Sequence, residues 1–174
     1  MSNAMENMLT RRSIRKFKPD MVPKDVLEQI VKAGTYAPTG MNRQAPIIVT
    51  VTSKEMRDKL SVMNAAIMGR EGTDPFYGAP VVMIVLADKN VPTYVYDGSL
   101  VMGNLMLAAH ELGIGSCWIH RAKQEFESEE GKALLKEWGI EGDYEGIGHC
   151  ILGYADCEVP EASERKENYG YFVE

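Results

Sequence analysis

The sequence predicts an α+β fold, a sheet of four or five strands with helices on both of its faces. Three observations lead there. Residues 81–87 form a continuous apolar run of strand length, the pattern of a strand covered on both sides. Helical and strand-like patterns alternate irregularly, without the regular βαβ spacing, the Gly-x-Gly-x-x-Gly turn or the Walker motif of nucleotide-binding α/β folds. A length of 174 residues with 45% hydrophobic content fits one domain with its own core.

The elements follow in order. Residues 1–4 read as an expression-tag remnant ahead of the native initiator Met5 and are set aside, which leaves residues 5–174 as one domain. A first helix is expected over residues 6–12. Pro23 suits the first position of a second, over residues 24–36, where Val26, Leu27, Ile30, Val31 and Ala33 recur at helical spacing. Residues 37–46 hold two prolines and a glycine and read as an ordered loop. The β-branched run 47–52 predicts a strand. Ser53 suits the cap of a helix over residues 54–63. Residues 64–79 contain Gly69, Gly72, Pro75 and Gly78 and read as a loop or a broken helix.

After the apolar strand, a long helix is expected over residues 93–112. From Ser99 onward it is apolar nearly all round, and such a helix must be covered on every side. A chain this short does not supply enough cover. Gly103 costs about 1 kcal/mol relative to alanine but admits another backbone closely. The helix is therefore expected in a homodimer interface. Gly113 and Gly115 end it. Residues 116–120 read as a third strand, Ser128 as the cap of a helix through Trp138, and residues 147–154 as a fourth strand. Tyr171-Phe172-Val173 reads as a short strand-like end.

Composition excludes several functions. The chain carries 19 basic and 25 acidic residues, a net charge of -6, against the broad basic face that nucleic acid needs. No apolar run approaches the roughly 18 residues of a membrane span. There is no secretory signal pattern. Cys117, Cys150 and Cys157 show neither metal-ligand spacing nor a paired framework, so a reduced, cytoplasmic protein without a metal site is expected.

Against this acidic background, the segment RRSIRKFK at residues 11–18 gathers five positive charges and no negative one. Ile14 and Phe17 interleave at turn or helix spacing, which suits a packed segment more than a free tail. A clustered arginine set suits phosphate, because guanidinium offers paired donors in a fixed fork.

The motif Arg-Arg-Ser-Ile-Arg-Lys-Phe resembles the opening of the FMN-dependent nitroreductase family. The resemblance continues in order along nearly the whole chain: Ala37-Pro38-Thr39-Gly40-Met41-Asn42-Arg43-Gln44, Phe76-Tyr77-Gly78-Ala79-Pro80, Asp97-Gly98-Ser99, Gly113-Ile114-Gly115-Ser116-Cys117-Trp118-Ile119, Leu152-Gly153-Tyr154 and Arg165-Lys166. It implies a nitroreductase-like fold with a mixed, mostly antiparallel central sheet, in an intertwined homodimer with FMN at the interface. It implies that Arg11, Arg12, Ser13 and Arg15 bind the phosphate, ribityl and pyrimidine edges of FMN. Pro38, Thr39, Gly40 and Asn42 would reach the flavin held mainly by the other subunit. Trp118, Ile119, His120 and Arg121 would line the ring, and Arg165 and Lys166 would close the phosphate pocket. Ala155 stands where a proline often follows the Gly-Tyr pair.

The activity so implied passes electrons from NADH or NADPH through flavin N5 to a small oxidised acceptor, such as a nitroaromatic or a quinone, by a ping-pong route. No protein side chain is needed as a nucleophile. Cys117 reads as a small buried hydrophobe, and His110 and His149 as structural residues; His120 is the histidine placed to matter. Residues 64–78 are expected to form a mobile cover that sets access. A flavin-binding or sensing protein without efficient turnover, and a dehalogenase or dehydrogenase on the same fold, are the alternatives.

Overall fold

A computed structural model describes residues 4–174. Residues 1–3, part of the stretch that the sequence reads as a tag remnant, lie outside the described residues. Four strands, β1 (Pro46–Val51), β2 (Val81–Asp88), β3 (Gly115–Ile119) and β4 (Tyr144–Gly153), form one sheet in the order β1-β2-β4-β3. Every neighbouring pair is antiparallel. Among the described residues six α-helices surround it: α1 (Ala4–Thr10), α2 (Lys24–Thr35), α3 (Lys54–Ile67), α4 (Tyr94–Glu111), α5 (Ala122–Glu127) and α6 (Glu129–Glu137).

The apolar run of β2 is explained by its place in the middle. Side chains alternate across a strand. Val82, Ile84 and Leu86 enter a core with Leu60 of α3, Phe126 of α5 and Leu134 of α6. Val81, Met83 and Val85 enter the other, with Leu27 and Ile30 of α2 and Met102 and Leu105 of α4. All six strand residues are fully buried. Each contributes about 1.5–3 kcal/mol relative to an exposed position, so β2 organises both faces.

Several boundaries differ from expectation. Helix α1 stops at Thr10, so Arg11 and Arg12 are not helical. The backbone after them is drawn into extended pairing: Ile14 N–H donates to Ser116 O at 2.9 Å, and Lys18 N–H donates to Tyr154 O at 2.9 Å. Helix α3 continues past 63 to Ile67, because Met63, Asn64 and Ala65 are buried on its inner face. Helix α5 was not expected; it follows a left-handed Arg121, with φ 81°. Its close corner with α6 needs Gly131, where a Cβ would collide with the Glu125 carbonyl. Ser128 caps α6 as expected, accepting from Gly131 N–H at 3.0 Å. Strand β4 starts at Tyr144, where the partner strand β2 supplies pairing for three more residues. Residues 171–173 form no strand and are exposed, since nothing in the single chain pairs with them.

Helix α4 buries Val101, Met102, Leu105 and Ala109 against the sheet. Part of its back is covered by α1, where Asn7 Nδ2 donates to Leu107 O at 3.1 Å and Thr10 Oγ1 meets His110 Nε2 at 2.9 Å. The rest is open: Leu100 is 47% exposed, and a Cβ at Gly103 would meet empty space. Among the described residues no helix is long and apolar enough to cross a membrane.

Candidate functional site

The basic segment reaches the site by strand-like stitching. Ser13 bridges Ser116 in parallel, and Phe17 bridges Ala155. With Ile14 and Phe17 buried, the segment is fixed along the exposed side of β3 and the end of β4. That register brings Arg15 level with Trp118.

Arg15, Cys117, Trp118, Ile119, His120 and Arg121 form one wall of a cleft of about 300 Å³. The opposite wall is the segment after α3: Met68, Arg70, Thr73, Asp74, Pro75 and Tyr77. Residues 64–78 thus do border the site, but the segment is fastened. The Asp74 carboxylate pairs with Arg57, accepts from Ser61 Oγ at 2.6 Å, and accepts the N–H groups of Phe76 at 3.0 Å and Gly78 at 2.7 Å. Burial pushes the Asp74 carboxyl up, yet these hydrogen bonds outweigh it and hold it below its ordinary 3.8. Arg57 neutralises Asp74, so Arg15, Arg70 and Arg121 leave the cleft with an excess of positive charge. The Trp118 indole packs over Gly148, where any Cβ would collide with it, and its ring centroid lies 6.1 Å from that of His120.

The loop at residues 37–46 lies elsewhere. Thr39 lines a second cleft of about 290 Å³ with Gly34, Gln44, Ile47 and Val101. Pro38, Gly40 and Asn42 belong to the same loop, which contains three non-glycine residues in the left-handed region: Met41, Asn42 and Gln44. Such strain persists only where surrounding contacts impose it. Here the fully folded-in Asp97 of α4 does so, accepting from Gly40 N–H at 3.0 Å and from Thr93 Oγ1 at 2.9 Å. Within one chain the predicted residues therefore form two groups: Arg15 and 118–121 in one cleft, and 38–42 around another.

Arg11, Arg12 and Ser13 are half-buried beside the first group. Arg11 Nη1, Arg12 Nε and Trp118 Nε1 are buried donors without a partner. Arg165 and Lys166 sit on the exposed tail, away from the Arg15 cleft; Arg165 donates to Ser163 O and Lys166 lies over the Tyr169 ring. Cys117 is buried, and burial pushes the neighbouring Cys150 thiol up to about 12. His149 is fully buried with its Nε2 2.6 Å from Glu125 Oε2, a structural position as expected. A larger groove of about 710 Å³ between α2 and the end of β1 holds none of the predicted site residues.

Sequence reasoning placed residues 64–78 at the site but did not single out Asn64, Arg70, Asp74 or Tyr77 within them. Asn64 carried a readable signal: a polar residue on the buried face of α3, between Met63 and Ala65. Its partners lie 56 to 61 residues away, which the sequence does not reveal.

The nitroreductase family model matches residues 8–154. The chain belongs to the nitroreductase family. A solved nitroreductase with bound FMN from Bacteroides fragilis superposes with a TM-score of 0.88, at 26% identity and covering 100% of both chains. A protein of Archaeoglobus fulgidus is 31% identical over 159 residues, 88% of this chain and 86% of its own. One of Methanothermobacter thermautotrophicus is 31% identical over 120 residues, 67% of this chain. Both carry the provisional name NADH dehydrogenase/NAD(P)H nitroreductase. The chain spans 60% of the length of the Methanothermobacter relative.

Proposed function

We propose that this nitroreductase-family chain is an FMN-dependent oxidoreductase, taking electrons from NADH or NADPH and giving them to a small oxidised acceptor such as a nitroaromatic or quinone. The observation that carries the reading is the convergence of Arg15, Trp118, His120 and Arg121 in one cationic cleft, beside buried donors that lack partners. FMN fits these residues. It brings a dianionic phosphate, a polar pyrimidine edge rich in acceptors and a large apolar ring. The cleft and its surroundings offer guanidinium groups and apolar walls from Ile119 and Met68. The Bacteroides fragilis relative is named with bound FMN, which supports the same assignment.

When bound, FMN supplies the redox chemistry, accepting a hydride and releasing the electrons to the second substrate. The protein's residues bind and orient. Arg11, Arg12 and Ser13 present donors to the phosphate and ribityl side, and Arg15 to the pyrimidine side. His120 and Arg121 place positive or donor groups where negative charge gathers on reduction. The Asp74-fastened segment supplies the opposite wall of the cleft. Arg165 and Lys166 close the phosphate pocket once the tail is docked.

We read the working form as a homodimer. The open face of α4, with Leu100 exposed and Gly103 unobstructed, supports it. So does the separation of the Thr39 loop from the Arg15 cleft: two chains are needed to bring Pro38, Thr39, Gly40 and Asn42 to a flavin held by the other chain's arginines. Anaerobic addition of NADH or NADPH tests the activity. It should bleach the flavin absorbance within the turnover time, and air or a quinone should restore it. Flavin that stays oxidised with both nucleotides would leave only a binding protein.

A further inference from the structure

We propose that Asn64 is a positioning residue for Arg121, holding its guanidinium and the His120 carbonyl in the arrangement with which this wall of the cleft meets the polar edge of the cofactor. The inference rests on the flavin reading above. Asn64 is fully buried in α3 and does not itself line the cleft, but it bonds residues that do. Its carboxamide makes three long-range hydrogen bonds. Oδ1 accepts from Arg121 Nε at 2.8 Å, Nδ2 donates to His120 O at 2.9 Å, and Nδ2 also reaches Glu125 Oε2 at 3.4 Å. The oxygen thus faces a donor and the nitrogen faces two acceptors, so the amide has one orientation consistent with its neighbours.

That orientation is fixed from behind. Glu125 is fully buried and its Oε2 lies 2.6 Å from His149 Nε2. His149 is itself fully buried, with the Phe76 and Phe126 ring centroids 5.2 Å and 6.5 Å from its own. The amide therefore cannot turn without breaking contact with an immobile carboxylate. In front, Arg121 is held in the left-handed region, which a non-glycine residue occupies only under imposed contacts. The Nε bond to Asn64 is such a contact. It uses the inner nitrogen and leaves both Nη groups for a ligand in the cleft. An untethered arginine would spread over many rotamers and lose part of its directional advantage over a point charge.

A residue that acts through Arg121 differs measurably from one that only stabilises the core. The experiment compares wild type, Asn64→Ala, Arg121→Ala and the double variant. Each apoprotein is titrated with FMN, and the potential of the bound flavin is measured beside thermal unfolding. A positioned cation favours the reduced cofactor, so its loss lowers the potential. Asn64→Ala and Arg121→Ala should each lower the ratio of reduced to oxidised FMN affinity by about tenfold, equivalent to about 30 mV for a two-electron couple. The double variant should fall no lower than Arg121→Ala alone. A wild-type potential in Asn64→Ala, or effects that add in the double variant, would overturn the proposal.

Should Asn64→Ala not fold, Arg121→Lys decides. It keeps the charge and loses the tether, and should match Arg121→Ala; a wild-type potential would overturn the proposal. Wild-type protein that binds no FMN would sink the flavin reading and this inference with it. Wild type that binds FMN beside variants of unchanged potential would sink this inference alone.

Discussion

Asp97 of α4 accepts the backbone N–H of Gly40 at 3.0 Å, across 57 residues of sequence. One carboxylate, 3% exposed, thereby ties the strained loop at residues 39–44 to the helix whose outer face is left open. Replacing it by alanine leaves the Gly40 N–H and the Thr93 hydroxyl without their acceptor. Asp97→Ala should lower stability by about 1.5–3 kcal/mol, the range for hydrogen bonds to a charged group. It should also weaken FMN binding severalfold, although Asp97 does not line the Arg15 cleft. Denaturant unfolding and a flavin titration check the two effects separately.

Asp74 gives a pH-dependent prediction. Its carboxyl is held below the ordinary 3.8, so the folded chain takes up this proton less readily than the unfolded one. The contribution is complete above about pH 5, and is lost as pH falls through 3.8 towards the lower folded value. At neutral pH, Asp74→Asn should cost about 1–2 kcal/mol, the low end for charged hydrogen bonds because the carboxylate is partly solvated. The gap between wild type and variant should narrow on acidification from pH 7 to about pH 3. Unfolding curves at both pH values read it, and a gap that widens with acid would contradict the assignment.

The open face of α4 predicts assembly. Leu100 at 47% exposure on α4, and Leu112 at 36% at its C-terminal cap, flank a Gly103 that offers room for close approach. Sedimentation at low micromolar concentration should find two chains. Leu100→Asp should shift the protein to one chain and lose FMN with it. A flavin-bound monomer would contradict both the dimer and the shared site.

The sequence was most legible where one residue's pattern is local. The alternation hidden in residues 81–87 becomes visible as two cores on either side of β2. Ser53 and Ser128 cap the helices expected of them. The register of Arg15 beside Trp118 was not legible from periodicity, since it depends on the Ser13–Ser116 bridge across the sheet edge; the family resemblance alone grouped those residues. Helix α5 was missed because six residues carry too little periodicity, and its start at a left-handed Arg121 has no cap signal. The extra length of β4, over Tyr144, Glu145 and Gly146, rests on pairing with β2 across the sheet, which no local pattern reveals. The anchoring role of Asp74 was not legible, because its partner Arg57 lies 17 residues earlier, in α3.

The absorption spectrum of the purified protein bears most directly on the proposed cofactor. Flavin bands should be present, or appear on reconstitution, and denaturation should release FMN in a ratio of one per chain. A colourless protein whose tryptophan fluorescence is unchanged by added FMN would contradict a flavin site built around Arg15, Trp118 and Arg121.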